Sequence, residues 1–67
     1  MSRAVTDEEH ACALAGGFTV RETGERYEVR QHGEPTTAPT FRTRDAAWIW
    51  AAEEAYHGAE LRAERAR

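Results

Sequence analysis

The stretch FTVRETGERYEVRQ, residues 18–31, decides the fold. Two β-prone segments flank Gly24-Glu25, and glycine at the first position of a two-residue loop favours a type II′ turn. Pairing across this loop sets Arg21 opposite Glu28, a favourable cross-strand pair on one face. The other face is then apolar and carries Phe18, Val20, Tyr27 and Val29. Both features predict the same β-hairpin in the same register.

A short helix is predicted before the hairpin, from about Asp7 to Ala15. Thr6 and Glu9 have the spacing of a capping box, in which each residue satisfies a free backbone N–H of the first turn. Gly16-Gly17 is expected to end the helix. Residues 1–5 would form a flexible tail. The apolar stripe of this helix consists of Ala11, Leu14 and Ala15. Because this stripe is weak, the helix needs a neighbouring element to pack against.

The chain after the hairpin predicts a loop, a short strand and a long helix. Breakers place the loop at residues 32–39, and Thr40-Phe41-Arg42 is expected as a third strand with Phe41 inward. Thr43 would cap a helix that runs from about Arg44 to near Glu64. Its predicted core stripe consists of Trp48, Ile49, Ala52, Ala55, Tyr56, Ala59 and Ala63.

The predicted fold class is α+β, a small two-layer domain with the order α-β-β-β-α. An antiparallel three-stranded sheet would pack on the long C-terminal helix. The 67 residues form a single domain in this prediction, with residues 65–67 frayed. Cys12 is the one cysteine in the sequence, so the domain would rest on packing alone, without a disulfide.

Trp50 raises a question that the sequence leaves open. It lies two positions from Trp48, so the two indoles cannot belong to one stripe of a helix. In one interpretation the first helix packs there and covers the indole with Leu14 and Ala11. In the other, Trp50 is an exposed anchor for a partner or a second copy of the chain, because tryptophan is enriched at binding hot spots.

The titratable residues show no pattern that predicts catalysis. His10 and Cys12 are two apart on a helix and point in different directions, which suits neither a metal pair nor a nucleophile–base pair. His57 follows Glu53 by one turn but has no nucleophile in reach along the sequence, and His32 lies in a loop. The expectation is a protein that is not an enzyme and has no cofactor or metal.

The charge of the chain is −3, with nine arginines, no lysine and twelve acidic residues. This balance argues against a general nucleic-acid binder. Acidic residues cluster on both predicted helices and could form one surface that docks on a basic groove, with carboxylates standing in for phosphates. The alternative is ordinary solvation with helix-dipole complementarity. The predicted partner-binding surface comprises Asp7, Glu8, Glu9, Glu53, Glu54, Glu60, Glu64 and Trp50.

Arginines provide a second, basic surface on the outer face of the predicted sheet. A three-stranded sheet can lie in the major groove of DNA and contact bases with arginine side chains. Glu28 in the middle of this face and the lack of lysine argue against that function, and charge that keeps an open sheet soluble is the alternative. The residues concerned are Arg21, Arg26, Arg30 and Arg42.

Two resemblances extend this interpretation. The pattern from Phe18 to Glu54, which ends in RDAAWIWAAEE, resembles the sheet-plus-helix DNA-binding unit of AP2 domains and integrase arm-binding domains, although it lacks their strand tryptophans and lysines. Over its whole length the chain resembles the anti-CRISPR proteins that inhibit type I systems, especially the I-C subtype. That likeness lies in format, size and charge, and it implies a phage protein that binds Cascade or its helicase-nuclease.

The leading hypothesis is therefore an anti-CRISPR-like inhibitor in the cytoplasm of the host bacterium. It would bind Cascade through the acidic surface and block target DNA binding, with mimicry of DNA as one mechanism. A small DNA-binding module that uses the arginine face is the second hypothesis. A homodimer through Trp50 and Leu61 is compatible with either, so the chain is expected as a monomer or weak homodimer. Neither a signal peptide nor a membrane segment is expected.

Overall fold

A computed structural model describes residues 3–65, and the side chains of residues 3–61. The elements are α1 (Asp7–Ala15), β1 (Phe18–Thr23), β2 (Arg26–Gln31), β3 (Glu34–Pro35) and α2 (Arg44–Arg65). The strands form one antiparallel sheet in the order β1-β2-β3. The order α-β-β-β-α and the α+β class are confirmed. The predictions for the side chains of Ala63 and Glu64 lie outside the described residues, as does the fraying expected after Arg65.

Local interactions begin both helices where the sequence predicts. At α1, Glu9 N donates to Thr6 Oγ1 at 3.1 Å, and Thr6 N donates to Glu9 Oε1 at 3.0 Å, which is the predicted capping box. At α2, Ala46 N donates to Thr43 Oγ1 at 3.1 Å. Each hydroxyl satisfies a backbone N–H that the helix itself cannot pair.

The β1–β2 hairpin is confirmed residue by residue. Val20 pairs with Val29, Arg21 with Glu28, and Thr23 with Arg26 beside the two-residue loop. Gly24 has φ 66°, whereas Glu25 is not in the positive-φ region, as a type II′ turn requires. Because the register is as predicted, the apolar side chains of both strands face α2, and Val29 is only 1% exposed.

The third strand lies elsewhere than predicted. Glu34–Pro35 pairs with Gln31 and Arg30 directly after a tight turn at His32-Gly33, where φ is 50° and 82°. Positive φ at both loop positions is typical of a type I′ hairpin turn. The predicted strand over residues 40–42 is therefore wrong, although Phe41 does face inward and forms one bridge, to Tyr27.

A bulged loop, residues 36–40, separates β3 from this bridge. Its five residues lie opposite only Glu28 and Val29 of β2, so the ladder cannot continue. The Thr36 hydroxyl instead donates to the Val29 carbonyl at 2.9 Å. Pairing resumes at Phe41, whose N–H donates to Tyr27 O at 2.9 Å and whose carbonyl accepts from Tyr27 N at 2.8 Å. β3 and the single bridge between Tyr27 and Phe41 are thus two separate contacts along the same edge of β2.

Small residues of α2 form the centre of the core. The buried residues on this helix are Ala47, Ala51, Ala52 and Ala55. The predicted stripe is correct for Ala52 and Ala55 but wrong for Tyr56, which is 61% exposed, and for the exposed Ala59. The reason is that α2 packs on the sheet with one flank and on α1 with the other. Two neighbours at close range favour alanine where a single layer would favour large side chains.

The inward face of α1 also differs from the prediction. Ala13 is fully buried and Cys12 partly buried, whereas Leu14 is 48% exposed. The C-terminal end of α1 lies close to α2, because a Cβ atom at Gly16 would lie 2.8 Å from the Cβ of Ala55. With Ala13 turned inward, Leu14 points about 100° away from it around the helix. The predicted stripe of Ala11, Leu14 and Ala15 is therefore wrong.

Of the helices in the described part of the chain, neither combines the length and the apolar character needed to cross a membrane.

Candidate partner-binding surface

The two tryptophans of α2 contact different elements. The Trp48 ring lies 4.3 Å from the His10 ring of α1, edge to face. Trp50 packs on the sheet side, with ring centroids 6.3 Å from Phe18 and 6.5 Å from Phe41. The prediction that α1 covers Trp50 is wrong, because α1 lies beside Trp48. Trp50 is partly buried and packs against the core. Its predicted role as an anchor for a partner stays a prediction.

A groove between α1 and α2 brings together three of the predicted acidic residues. This helical groove has a volume of about 390 Å³ and is lined by Glu8, Glu9, Cys12, Ala52, Glu53 and Tyr56. Cys12 and Ala52 are its small apolar residues. The Cys12 thiol donates a long hydrogen bond of 3.9 Å from Sγ to the carbonyl oxygen of Ala52. The exposed Tyr56 ring adds an aromatic surface beside the carboxylates.

Glu9 is already bound by the chain itself. Arg3 Nη1 and Nη2 donate to its two carboxylate oxygens, each at 2.6 Å. This hydrogen bonding from Arg3 is the main reason why the pKa of Glu9 falls from 4.5 to about 2, and the bond from Thr6 N lowers it further. Glu9 therefore has two roles: it takes part in the capping box of α1 and it binds Arg3. The other two carboxylates of the helical groove, Glu8 and Glu53, are exposed.

The other described residues of the predicted acidic surface lie outside the helical groove. Asp7 and Glu60 are exposed but do not line the helical groove. Glu54 lies on the sheet side of α2, in a second groove with Trp50, and the side chain of Glu64 lies outside the described residues. The acidic residues thus form separate surfaces on two flanks of α2, because consecutive helix positions such as Glu53 and Glu54 point about 100° apart.

The second groove, here called the Trp50 groove, lies between α2 and the short third strand. Its volume is about 470 Å³, and it is lined by Phe18, Gln31, Glu34, Pro35, Thr36, Thr37, Trp50 and Glu54. The sequence did not predict this groove, because part of its lining comes from β3, which the structure places at residues 34–35. The His32-Gly33 turn, flanked by extended residues, was the signal that could have located that strand.

Two of the predicted DNA-binding arginines hold loops of the chain. Arg26 donates to the Thr40 hydroxyl and carbonyl at 3.1 and 2.9 Å. Arg30 pairs with Glu28 at 2.8 Å and donates twice to the Gly33 carbonyl. Arg21 and Arg42 are exposed. The outer sheet face is therefore less available to phosphates than the count of arginines indicates.

Metal-ligating side chains do not gather within the part of the chain that the structure describes, where no group of three or more His, Cys, Asp or Glu residues could hold an ion. His10 packs on Trp48, and Cys12 lies at the helical groove.

Comparisons with known protein families, with curated proteins and with solved structures find no match to this chain.

Proposed function

We propose that this protein is a non-catalytic inhibitor that binds a type I CRISPR effector of the Cascade type and blocks capture of target DNA. It would act in the cytoplasm of the host bacterium, as a phage product. The observation that carries this proposal is the helical groove, which is lined by the exposed carboxylates of Glu8 and Glu53 and by the exposed ring of Tyr56. The resemblance to type I anti-CRISPR proteins in size and charge supports the identity of the partner.

The electrostatics of the helical groove suit a basic partner surface. CRISPR effectors hold nucleic acid in positively charged channels, which attract an acidic protein and hold its carboxylates in place of phosphates. Tyr56 supplies the kind of aromatic contact that dominates protein interfaces. Arg3 already binds both carboxylate oxygens of Glu9, so Glu8 and Glu53 are the groove carboxylates that this proposal assigns to the partner.

A gel shift tests the proposal. Target duplex is bound by purified type I-C Cascade, the protein is titrated in, and a further lane contains only protein and DNA. We expect loss of the Cascade–DNA band and no shift of DNA by the protein alone. The variant Glu8→Arg/Glu53→Arg should lose inhibition, because it reverses two groove charges without touching the capping box formed by Glu9.

The matched control is Glu22→Arg/Glu25→Arg, which makes the same change of net charge on exposed hairpin positions. It should inhibit as the native chain does, and circular dichroism should show that both variants are folded. Equal inhibition by the folded groove variant and the native chain would contradict docking through the helical groove. Absence of inhibition by the native chain in this assay would contradict action at DNA capture.

DNA binding by the outer sheet face is the second candidate. One observation favours it: that face is not packed by α2, and Arg21 and Arg42 are exposed on it or beside it. A shift of duplex by the protein alone, weakened by added salt and by Arg21→Ala or Arg30→Ala, would support it. Duplex affinity that neither substitution changes would rule it out.

A further inference from the structure

The Trp50 groove combines an aromatic residue with carboxylates from two different elements. Trp50 lies in it, partly buried, with its ring centroid 6.3 Å from that of Phe18, which also lines the groove, and 6.5 Å from that of Phe41. Glu34 comes from β3 and Glu54 from α2, and both are exposed. An accessible aromatic ring that shares a groove with carboxylates suits a cation, because the ring face and the carboxylates attract the same positive group.

The geometry points to an arginine side chain of a partner protein as the occupant: we propose that the Trp50 groove binds its guanidinium group. A guanidinium is planar, so it stacks on an indole, and its donors project in the ring plane, where they reach carboxylates at the edges. A lysine ammonium lacks both properties. The groove is open to solvent, and its volume of about 470 Å³ leaves room for one such side chain.

The chain itself contains each half of this arrangement separately. The guanidinium of Arg44 lies 5.5 Å from the centre of the Tyr27 ring. The guanidinium of Arg3 is bound by both oxygens of Glu9. The Trp50 groove offers the two contacts together, and among residues 3–61 neither Glu34 nor Glu54 takes part in an ion pair.

This site lies on the sheet side of α2, whereas the helical groove lies on the α1 side. The inference does not depend on the function proposed above, since it concerns a side chain of a partner and not the identity of that partner. Its test uses the isolated protein with a defined peptide, so its result is independent of any CRISPR effector.

The test is an NMR titration that follows the two indole N–H signals, assigned with Trp48→Phe. The probes are the peptide acetyl-Ala-Arg-Ala-amide and the same peptide with citrulline, a neutral residue of nearly the same shape. A third probe is the same peptide with lysine in place of arginine. We expect the arginine peptide to shift the Trp50 signal saturably, while the citrulline and lysine peptides bind at least about fivefold more weakly.

Paired variants separate a built site from general attraction. Glu34→Gln/Glu54→Gln should weaken binding of the arginine peptide at least about fivefold, since it removes both carboxylates. Glu8→Gln/Glu53→Gln removes the same charge from the helical groove and should leave the affinity unchanged. Equal weakening in the two variants, equal binding of the citrulline peptide, or no saturable shift of Trp50 would each overturn the proposal. Dispersed amide signals confirm that every variant is folded.

Discussion

Gly17 joins α1 to β1 in a conformation that a residue with a side chain adopts only with strain. Its φ is 85°, and a Cβ atom there would overlap the imidazole of His32. Its carbonyl accepts a hydrogen bond of 2.8 Å from His32 N. The sequence marks this glycine as the end of a helix, but the contact with the β2–β3 turn comes only from the folded chain.

We predict that Gly17→Ala lowers the free energy of unfolding by about 2 kcal/mol or more. The cause is strain from positive φ together with displacement of the His32 ring. Urea denaturation followed by circular dichroism measures the change.

Two other glycines separate these causes. Gly24 also has positive φ, but a Cβ atom there would meet nothing within 4 Å, so Gly24→Ala should cost only about 1 kcal/mol. Gly58 lies within α2 with open space around it, and Gly58→Ala should stabilise the protein by up to about 1 kcal/mol. An equal decrease in the free energy of unfolding for Gly17→Ala and Gly24→Ala would show that the contact with His32 adds no cost.

At the scale of the elements, α2 is shaped by its two neighbours. Ala51 is completely buried, and Gly16 of the α1 end approaches Ala55 so closely that no Cβ atom fits between them. Trp48 and Trp50 stand on either side of this alanine row and reach outward to α1 and to the sheet. The helix therefore uses small residues where the elements approach closely and large ones where they diverge.

We predict that Ala51→Leu lowers the free energy of unfolding by about 1–3 kcal/mol, because added side-chain volume must push the packed elements apart. Ala59→Leu makes the same change at an exposed position of the same helix and should change stability by no more than about 0.5 kcal/mol. Chemical denaturation of both variants provides the comparison. Similar small effects at the two positions would contradict close packing around Ala51.

The whole molecule is elongated because α2 is longer than the body that it supports. Its 22 residues correspond to about 33 Å of helix, and the described chain measures 43 by 25 by 16 Å. Among residues 56–61 no side chain is buried, so the described core contacts of this helix end at Ala55. One small core therefore has to hold α1, the sheet and the first turns of α2 together.

A core shared in this way predicts a single cooperative unfolding transition. Trp48 reports on the contact with α1 in the variant Trp50→Phe, and Trp50 reports on the contact with the sheet in Trp48→Phe. In each variant the midpoint from tryptophan fluorescence should coincide with that from far-ultraviolet circular dichroism. A Trp48 transition at lower urea than the dichroism transition would instead show that α1 separates first.

Much of the local structure could be predicted from the sequence, because its causes lie within a few residues. The capping box of Thr6 and Glu9, the cap at Thr43 and the turn at Gly24 depend on hydrogen bonds and backbone angles of adjacent positions. The α-β-β-β-α order and the hairpin register follow from these signals and from the alternation of apolar residues. The clustering of acidic residues on the helices is likewise a property of the sequence.

Only the tertiary structure decided which faces the helices bury and which carboxylates meet. Ala13 is inside and Leu14 is 48% exposed, and Gly16 lies close to Ala55, because the docking of α1 on α2 sets both the buried face and the distance, which no periodicity encodes. The third strand follows the His32-Gly33 turn because pairing with β2 stabilises it there. Glu53 and Glu54 are adjacent in the sequence but lie in different grooves, since each groove is completed by a distant element, α1 for one and β3 for the other.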